Sequence, residues 1–218
     1  MAAIDSLHPG LGRLFHRLRT GQGGSLILRA ASGSLMVSVL GTAIAFVSNL
    51  FLARWMGVGH YGIYVYVLAW VNVLALPATL GYMTSLVRFI PAYRSREAFG
   101  LVRGLLRLST LQVFSASVLG AVAVVAATGL LGDDLEPALA ATFYTAAPLL
   151  PLLALSRIRG AMLRALRRVV LAAVPTDIIR PLVLLAIAAV LYASGGQGLS
   201  APSAMAANLA GAAAAFAV

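Results

Sequence analysis

Long apolar runs are the feature of this sequence that most restricts its fold. A bilayer core roughly 30 Å thick is crossed by about 20 apolar residues in a helix that rises about 1.5 Å per residue. Six stretches of the chain have that character, at about residues 30–53, 63–87, 108–131, 137–155, 169–192 and 199–218. They lack the strict alternation and the roughly 10-residue segments of barrel strands. The sequence therefore predicts an all-α, polytopic membrane bundle of about six transmembrane helices.

The composition agrees with a membrane protein and leaves no room for a soluble domain. Hydrophobic residues make up 61% of the 218 residues and charged residues only 10%, whereas soluble domains are about half apolar and a quarter charged. The connecting segments are short, so we expect one six-helix lobe over residues 30–218. Residues 1–29 precede it as a basic arm, in which Leu11, Leu14, Phe15 and Leu18 recur at helical spacing. We expect this arm to lie on the membrane surface as an amphipathic helix, with a disordered basic tail as the alternative.

Charge and residue usage exclude several classes of function. The net charge of +10 comes entirely from arginines that lie beside apolar runs, which favours anionic lipid headgroups over nucleic acid as partners. The chain has no cysteine, and none of its three histidines lies inside an apolar run. We therefore expect no disulfide, no metal site and no cofactor. The sequence contains no nucleotide-binding loop and no nucleophile with a paired base, so we do not expect an enzyme.

The distribution of arginines predicts the orientation of the bundle. Fourteen of the sixteen lie in three segments, Arg13, Arg17, Arg19 and Arg29; Arg88, Arg94, Arg96, Arg103 and Arg107; and Arg157, Arg159, Arg164, Arg167 and Arg168. The alternate loops hold Arg54, the acidic residues Asp133, Asp134 and Glu136, and an uncharged stretch over 194–198. Because basic loops stay in the cytoplasm, we expect the N-terminus and the three arginine-rich segments there.

Asp177 and Arg180 are the charged residues that are most costly to keep in a membrane. An ionised side chain near the bilayer centre costs at least about 2.5 to 3.5 kcal/mol. The two residues are three apart, so on a helix they share a face and can pair, in a purely structural role or in the wall of a cavity. Pro175 and Pro181 flank them, and the prolines predict an irregular helix of the kind that lines transporter cavities. Pro77, Pro148 and Pro151 extend this pattern.

A stripe of small and polar residues runs along the first predicted span. Ser34, Ser38, Thr42 and Asn49 fall on one helical face. The stripe has two interpretations, close helix packing through small residues or the lining of a polar cavity.

Several short motifs resemble those of bacterial oligosaccharide flippases. The segment over 52–64, LARWMGVGHYGIY, is similar to the first outer loop of these proteins, with Met56 where leucine is common. Gly81 and the segment SLVRFIPAYR over 85–94 resemble the exit from the second span, residues 101–107 resemble the run into the third, and 174–182 resemble the entry to the fifth. The resemblance extends over nearly all of residues 25–193. It implies the multidrug/oligosaccharidyl-lipid/polysaccharide exporter superfamily, in which two six-helix lobes enclose a V-shaped cavity.

The resemblance implies a specific function, which we state as an expectation. The oligosaccharide branch moves undecaprenyl-diphosphate-linked sugar units across the bacterial inner membrane, and the anionic diphosphate would favour a cationic cavity. Arg180 is then the first candidate contact, with Asp177 and Asn49 as further substrate-binding candidates. We also expect a second, C-terminal lobe as partner, since the last span is apolar up to Val218. The alternatives are a cation-coupled multidrug exporter, for which Asp177 is the sole candidate for the coupling carboxylate, and a non-transporting scaffold for polysaccharide assembly.

Overall fold

The fold is helical throughout the part of the chain that the structure describes. The computed structural model describes residues 22–131, 135–166, 168–195 and 198–217, and these ranges contain no strand. The elements are α1 (Gln22–Ala78), α2 (Tyr82–Ser95), α3 (Phe99–Leu130), α4 (Pro137–Ala146), α5 (Leu149–Ala165), α6 (Val169–Val174), a π-helical segment (Pro175–Ile179), α7 (Arg180–Gly195) and α8 (Ala201–Ala217). The predicted all-α class is confirmed. Most of the predicted amphipathic arm, and the acidic residues Asp133 and Asp134, lie outside the described residues.

Four helical stretches are long and apolar enough to cross a membrane. They are Leu35–Ala78, Phe99–Leu130, Pro137–Ala165 and Val169–Ser194. α8 is also apolar, but it has only 17 residues, which is at the short end for a spanning helix. Helix lengths therefore agree with a helical membrane bundle, while the count of six spans stays a prediction.

α1 is broken at Gly57, where the chain reverses direction. Gly57 has φ 72° and ψ 169°, a backbone conformation that is essentially restricted to glycine. The break separates a first arm, residues 22–56, from a second arm, residues 58–78. Ser38 and Asn72 line the same cavity, although a straight helix would hold them about 50 Å apart. The two arms therefore fold back alongside each other, as the first and second predicted spans require.

Two of the predicted spans are interrupted near their prolines. α1 ends one residue after Pro77, and the turn that follows contains Leu80 at φ 49° and Gly81 at φ 72°. The predicted stretch 63–87 is thus divided between α1 and α2. α4 ends at Ala146, and Pro148 precedes α5 in helical conformation, so the stretch 137–155 is divided as well. Proline lacks the amide hydrogen that a continuous helix needs, which explains why the helices end close to these positions.

The buried core lies along α5, α8 and the second arm of α1. Leu149, Leu150 and Ile158 of α5 are at most 1% exposed, as are Val67 in the second arm and Met205 of α8. α8 buries mainly small side chains, Ala201, Ala204, Ala207, Gly211, Ala212 and Ala215. Small residues let helix backbones approach closely, which is the usual basis of packing between membrane helices.

Large apolar side chains cover much of the outer surface. Phe46, Leu119 and Val190 are exposed by 69%, 70% and 66%. An apolar surface of this extent would promote association in water. It is the surface expected of helices that face lipid chains.

Candidate functional site

A cavity of about 490 Å³ lies between α1, the π-helical segment, α7 and α8. Its wall combines hydroxyl, amide and charged groups with apolar side chains. The lining residues are Ser38, Gly41, Thr42, Ala45, Ser48, Asn49, Leu52, Tyr64, Leu68, Asn72, Thr176, Asp177, Arg180, Pro181, Leu184 and Asn208. All three predicted site residues, Asn49, Asp177 and Arg180, are in this set. We call this cavity the central cavity.

Arg180 is held by a chain of buried hydrogen bonds. Its Nε and Nη2 donate to Oδ1 of Asn208 at 3.1 and 2.9 Å. Nδ2 of Asn208 in turn donates to the hydroxyl of Tyr64 at 2.7 Å. Asn208 and Tyr64 are each only 2% exposed. The guanidinium is thus fixed at the cavity wall by a neutral amide, which orients it without cancelling its positive charge.

Close packing of α8 on α7 brings these groups together. A Cβ atom on Gly211 would lie 2.8 Å from the carbonyl oxygen of Arg180 and 3.3 Å from the backbone nitrogen of Leu184. Only glycine therefore fits where α8 crosses the start of α7. Asn208 precedes Gly211 by three residues and so lies on the same face of α8. The glycine contact consequently sets the distance over which Asn208 reaches Arg180.

The predicted irregular helix is present as the π-helical segment that precedes Arg180. A Cβ atom on Gly41 would lie 2.7 Å from Cβ of Asp177 and 3.0 Å from its carbonyl oxygen, so the segment packs directly on the backbone of α1. The carboxylate of Asp177 accepts a hydrogen bond from Oγ1 of Thr176 at 3.1 Å. Arg180 contacts Asn208 instead of the expected partner Asp177. A π-helix has more residues per turn than an α-helix, so two residues at positions i and i+3 no longer share a face. This explains why Arg180 does not pair with Asp177.

A second arginine and amide contact lies beside the cavity. Nη2 of Arg157, on α5, donates to Oδ1 of Asn72 at 3.1 Å, and Asn72 lines the central cavity. Nη1 of Arg157 is buried and has no hydrogen-bond partner among the described residues. Arg157 was predicted to lie in the arginine-rich segment that follows the fourth span, but it lies within α5. Two guanidinium groups with amide partners thus contribute positive charge to this region.

The polar stripe of α1 lines the cavity, and a neighbouring serine of α1 contacts α7. Ser38, Thr42 and Asn49 line the cavity, and Thr42 and Asn49 bond to backbone oxygens of their own helix, at 2.8 and 2.9 Å. Ser48 is buried, and its hydroxyl lies 3.4 Å from the carbonyl oxygen of Pro181. The described stripe residues therefore fit the cavity interpretation, while the packing contact comes from Ser48, which lies beside the stripe and was not part of it. The side chain of Ser34 is outside the described set.

Sequence reasoning missed Tyr64, Asn72 and Asn208. Asn72 and Asn208 lie inside apolar runs. An amide without a partner is costly there, so both residues could have been predicted to have polar partners. Tyr64 gave no such signal because tyrosine is common in membrane helices near their ends.

The described residues contain no group of three or more metal ligands. Comparison with known protein families, curated proteins and solved structures gives no match.

Proposed function

We propose that this bundle is a lobe of a flippase that moves lipid-linked oligosaccharides, attached through undecaprenyl diphosphate, across the bacterial inner membrane. The observation that carries the proposal is the central cavity, in which Arg180 is oriented by the neutral amide of Asn208. A fixed guanidinium that keeps its charge suits a diphosphate, because charge-assisted hydrogen bonds to phosphate are strong and directional. The hydroxyl and amide groups of α1 offer hydrogen bonds to sugar. The resemblance described above supplies the substrate class.

The arrangement also supports a second lobe as partner. Ser38, Thr42 and Asn49 line the cavity and are exposed in this lobe. Polar side chains that face lipid are costly, so a protein surface opposite them would complete the cavity. Expression with and without a matching C-terminal lobe tests this part of the proposal. We expect the described lobe to restore polysaccharide export to a flippase-deficient strain only when the second lobe is supplied.

Binding of a fluorescent polyprenyl-diphosphate sugar to the purified two-lobe protein tests the ligand. Arg180→Gln should weaken binding roughly tenfold or more, since a hydrogen bond to a charged group contributes about 1.5 to 3 kcal/mol. The matched control is Arg96→Gln, which removes one positive charge from an exposed position at the end of α2. A neutral polyprenyl glycoside should bind equally to wild type and Arg180→Gln. If Arg180→Gln and Arg96→Gln lose binding of the polyprenyl-diphosphate sugar equally, the cavity does not have the proposed role.

The contacts of Arg180 also predict the outcome of a double substitution. Since Arg180 bonds to Asn208, removing Asp177 should not restore export to an Arg180→Ala variant. Full restoration in the Asp177→Ala, Arg180→Ala double variant would mean that the two residues act as a structural ion pair.

A cation-coupled exporter is the second candidate, and the position of Asp177 favours it. Its carboxylate lines the central cavity and accepts a hydrogen bond from Thr176. A carboxylate inside a membrane is the group that such coupling requires. Asp177→Asn separates the two functions. The exporter should lose proton- or sodium-driven efflux of cationic dyes, whereas a flippase should keep diphosphate binding.

We further propose six spans with a cytoplasmic N-terminus. The backbone amide of Leu199 donates to the carbonyl oxygen of Trp55, which brings the Gly57 break and the segment before α8 to one end of the bundle. Arg159 of α5 bonds to the backbone of Phe216, near the other end of α8. Single cysteines at Ala138 and Gly196 should react with an impermeant thiol reagent on intact cells, and one at Ser95 should not. The opposite labelling pattern would reverse the topology.

A further inference from the structure

A groove on the exposed surface of α3 shares no lining residue with the central cavity. It has a volume of about 530 Å³ and is lined by Arg103, Leu106, Arg107, Thr110, Leu111 and Phe114. These residues recur at intervals of three and four, so they form one face of the helix. Two arginines occupy one end of this face and apolar side chains occupy the other. We call it the α3 groove.

The length of α3 places the two arginines at the level of lipid headgroups. The helix has 32 residues and is about 48 Å long, which exceeds the roughly 30 Å of a bilayer core. Residues 108–130 contain no charged side chain and span roughly 34 Å, so they account for the core. Arg103 and Arg107 then lie just outside it, while Leu111 and Phe114 lie one to two turns inside.

The exposed side chains of the groove match the parts of an anionic phospholipid. Arg103 and Arg107 are exposed and one turn apart, a spacing at which both can contact one phosphate group. Leu111 and Phe114 are 65% and 48% exposed and continue along the same face toward the position of acyl chains. The hydroxyl of Thr110 already donates to the carbonyl oxygen of Leu106 at 2.8 Å. The specificity of the groove therefore lies in its two guanidinium groups.

We propose that the α3 groove binds an anionic glycerophospholipid, with the phosphate between Arg103 and Arg107 and an acyl chain along Leu111 and Phe114. Basic residues at the membrane surface attract anionic lipids by about 1 kcal/mol each, which corresponds to a preference of about fivefold for each arginine. A groove that adds apolar contact converts this general attraction into a defined site. None of the residues that line the α3 groove also lines the central cavity, so lipid binding there does not require the proposed transport function.

Quenching by brominated lipids tests the site in reconstituted vesicles. Since the chain has no cysteine, a fluorophore can be attached at Leu108→Cys, beside the groove, or at Leu119→Cys, farther along α3. The vesicles contain brominated phosphatidylglycerol or brominated phosphatidylcholine at matched mole fractions. At position 108 we expect phosphatidylglycerol to quench at a mole fraction up to about 25-fold lower than phosphatidylcholine does, from about fivefold for each of the two arginines. At position 119 the two lipids should quench equally.

Paired arginine substitutions decide between a site and a general charge effect. Arg103→Gln with Arg107→Gln should abolish the preference at position 108. The control pair, Arg94→Gln with Arg96→Gln, removes the same charge from exposed positions outside the groove and should preserve it. Excess inorganic phosphate should not reduce the quenching if the ligand is a lipid. The proposal is wrong if the two arginine pairs lose the preference for phosphatidylglycerol equally. It is also wrong if the unsubstituted groove shows no preference, or if free phosphate displaces the lipid.

Discussion

Replacing Asn208 with leucine is the most informative single test of the site. Leucine has a similar volume but no amide, so the substitution removes three hydrogen bonds without opening a large cavity. Arg180 loses the acceptor of its Nε and Nη2 groups, and the hydroxyl of Tyr64 loses its donor. Since Asn208 and Tyr64 are each 2% exposed, water has little access to replace the amide.

The expected loss of stability is about 2 kcal/mol. Bonds to a charged group contribute about 1.5 to 3 kcal/mol, whereas hydrogen bonds between membrane helices average about 0.6 kcal/mol and reach about 1.7. Arg180 lines the cavity, so water can partly solvate its free guanidinium, and the lower end of the range applies. The bond to Tyr64 contributes about 0.6 kcal/mol of the total.

Reversible unfolding in mixed micelles, followed by helical circular dichroism, measures this difference. Asn49→Leu is the matched control, because Asn49 is exposed and its one side-chain hydrogen bond among the described residues is to the backbone of its own helix. We expect that variant to remain within about 0.5 kcal/mol of wild type. A double-mutant cycle of Asn208→Leu with Tyr64→Phe should give a coupling of about 0.6 kcal/mol. If Asn208→Leu unfolds like Asn49→Leu, the hydrogen-bond chain does not stabilise the bundle.

Three further predictions concern backbone contacts and use the same unfolding assay. Gly41→Ala should destabilise the protein by about 1 to 3 kcal/mol, because its Cβ would overlap the π-helical segment; Gly62→Ala, with open space around its Cβ, should not. Gly57→Ala should cost about 1 to 3 kcal/mol through its positive φ, whereas Gly59→Ala, in an ordinary helical turn, should be neutral or slightly stabilising; equal effects would mean that the reversal does not depend on glycine. Arg159→Gln removes a hydrogen bond and a cation-π contact at 4.6 Å to the end of α8 and should cost about 1 kcal/mol, with no change expected in ligand binding.

The class of the fold was predictable from the sequence, because apolar runs of this length leave few alternatives. The reversal between the first two runs was also predicted, but its position at Gly57 was not. Gly57, Gly59 and Gly62 lie close together there. Only the three-dimensional path of the chain determines which of them adopts a positive φ. Pro77 predicted an irregular helix within the second run, but not that the helix would end there in a turn. The hydropathy of residues 63–87 is continuous, and hydropathy does not report where a backbone hydrogen bond is absent.

The candidate site was predictable only in part. Arg180 and Asp177 stood out because charge is costly in an apolar run, and both line the central cavity. Their partners were not predictable, since the pairing of Arg180 with Asn208 depends on how α8 packs on α7. The expected contact with Asp177 assumed α-helical spacing, and the π-helical segment changes that spacing. Asn72 and Asn208 could have been identified in the same way, because an amide in an apolar run is also costly to bury, although less so than a charge.

Arg180 and its hydrogen-bond partner Asn208 are far apart along the chain, and this affects how the protein is inserted during synthesis. Asn208 follows Arg180 by 28 residues, so at about 5 to 20 residues per second the ribosome completes it roughly 1.5 to 6 seconds later. During that interval α7 contains an arginine whose amide acceptor does not yet exist, and transferring it alone into lipid costs about 2.5 to 3.5 kcal/mol. We therefore expect α7 to remain at the insertion machinery until α8 emerges, and the two helices to enter the membrane as a pair.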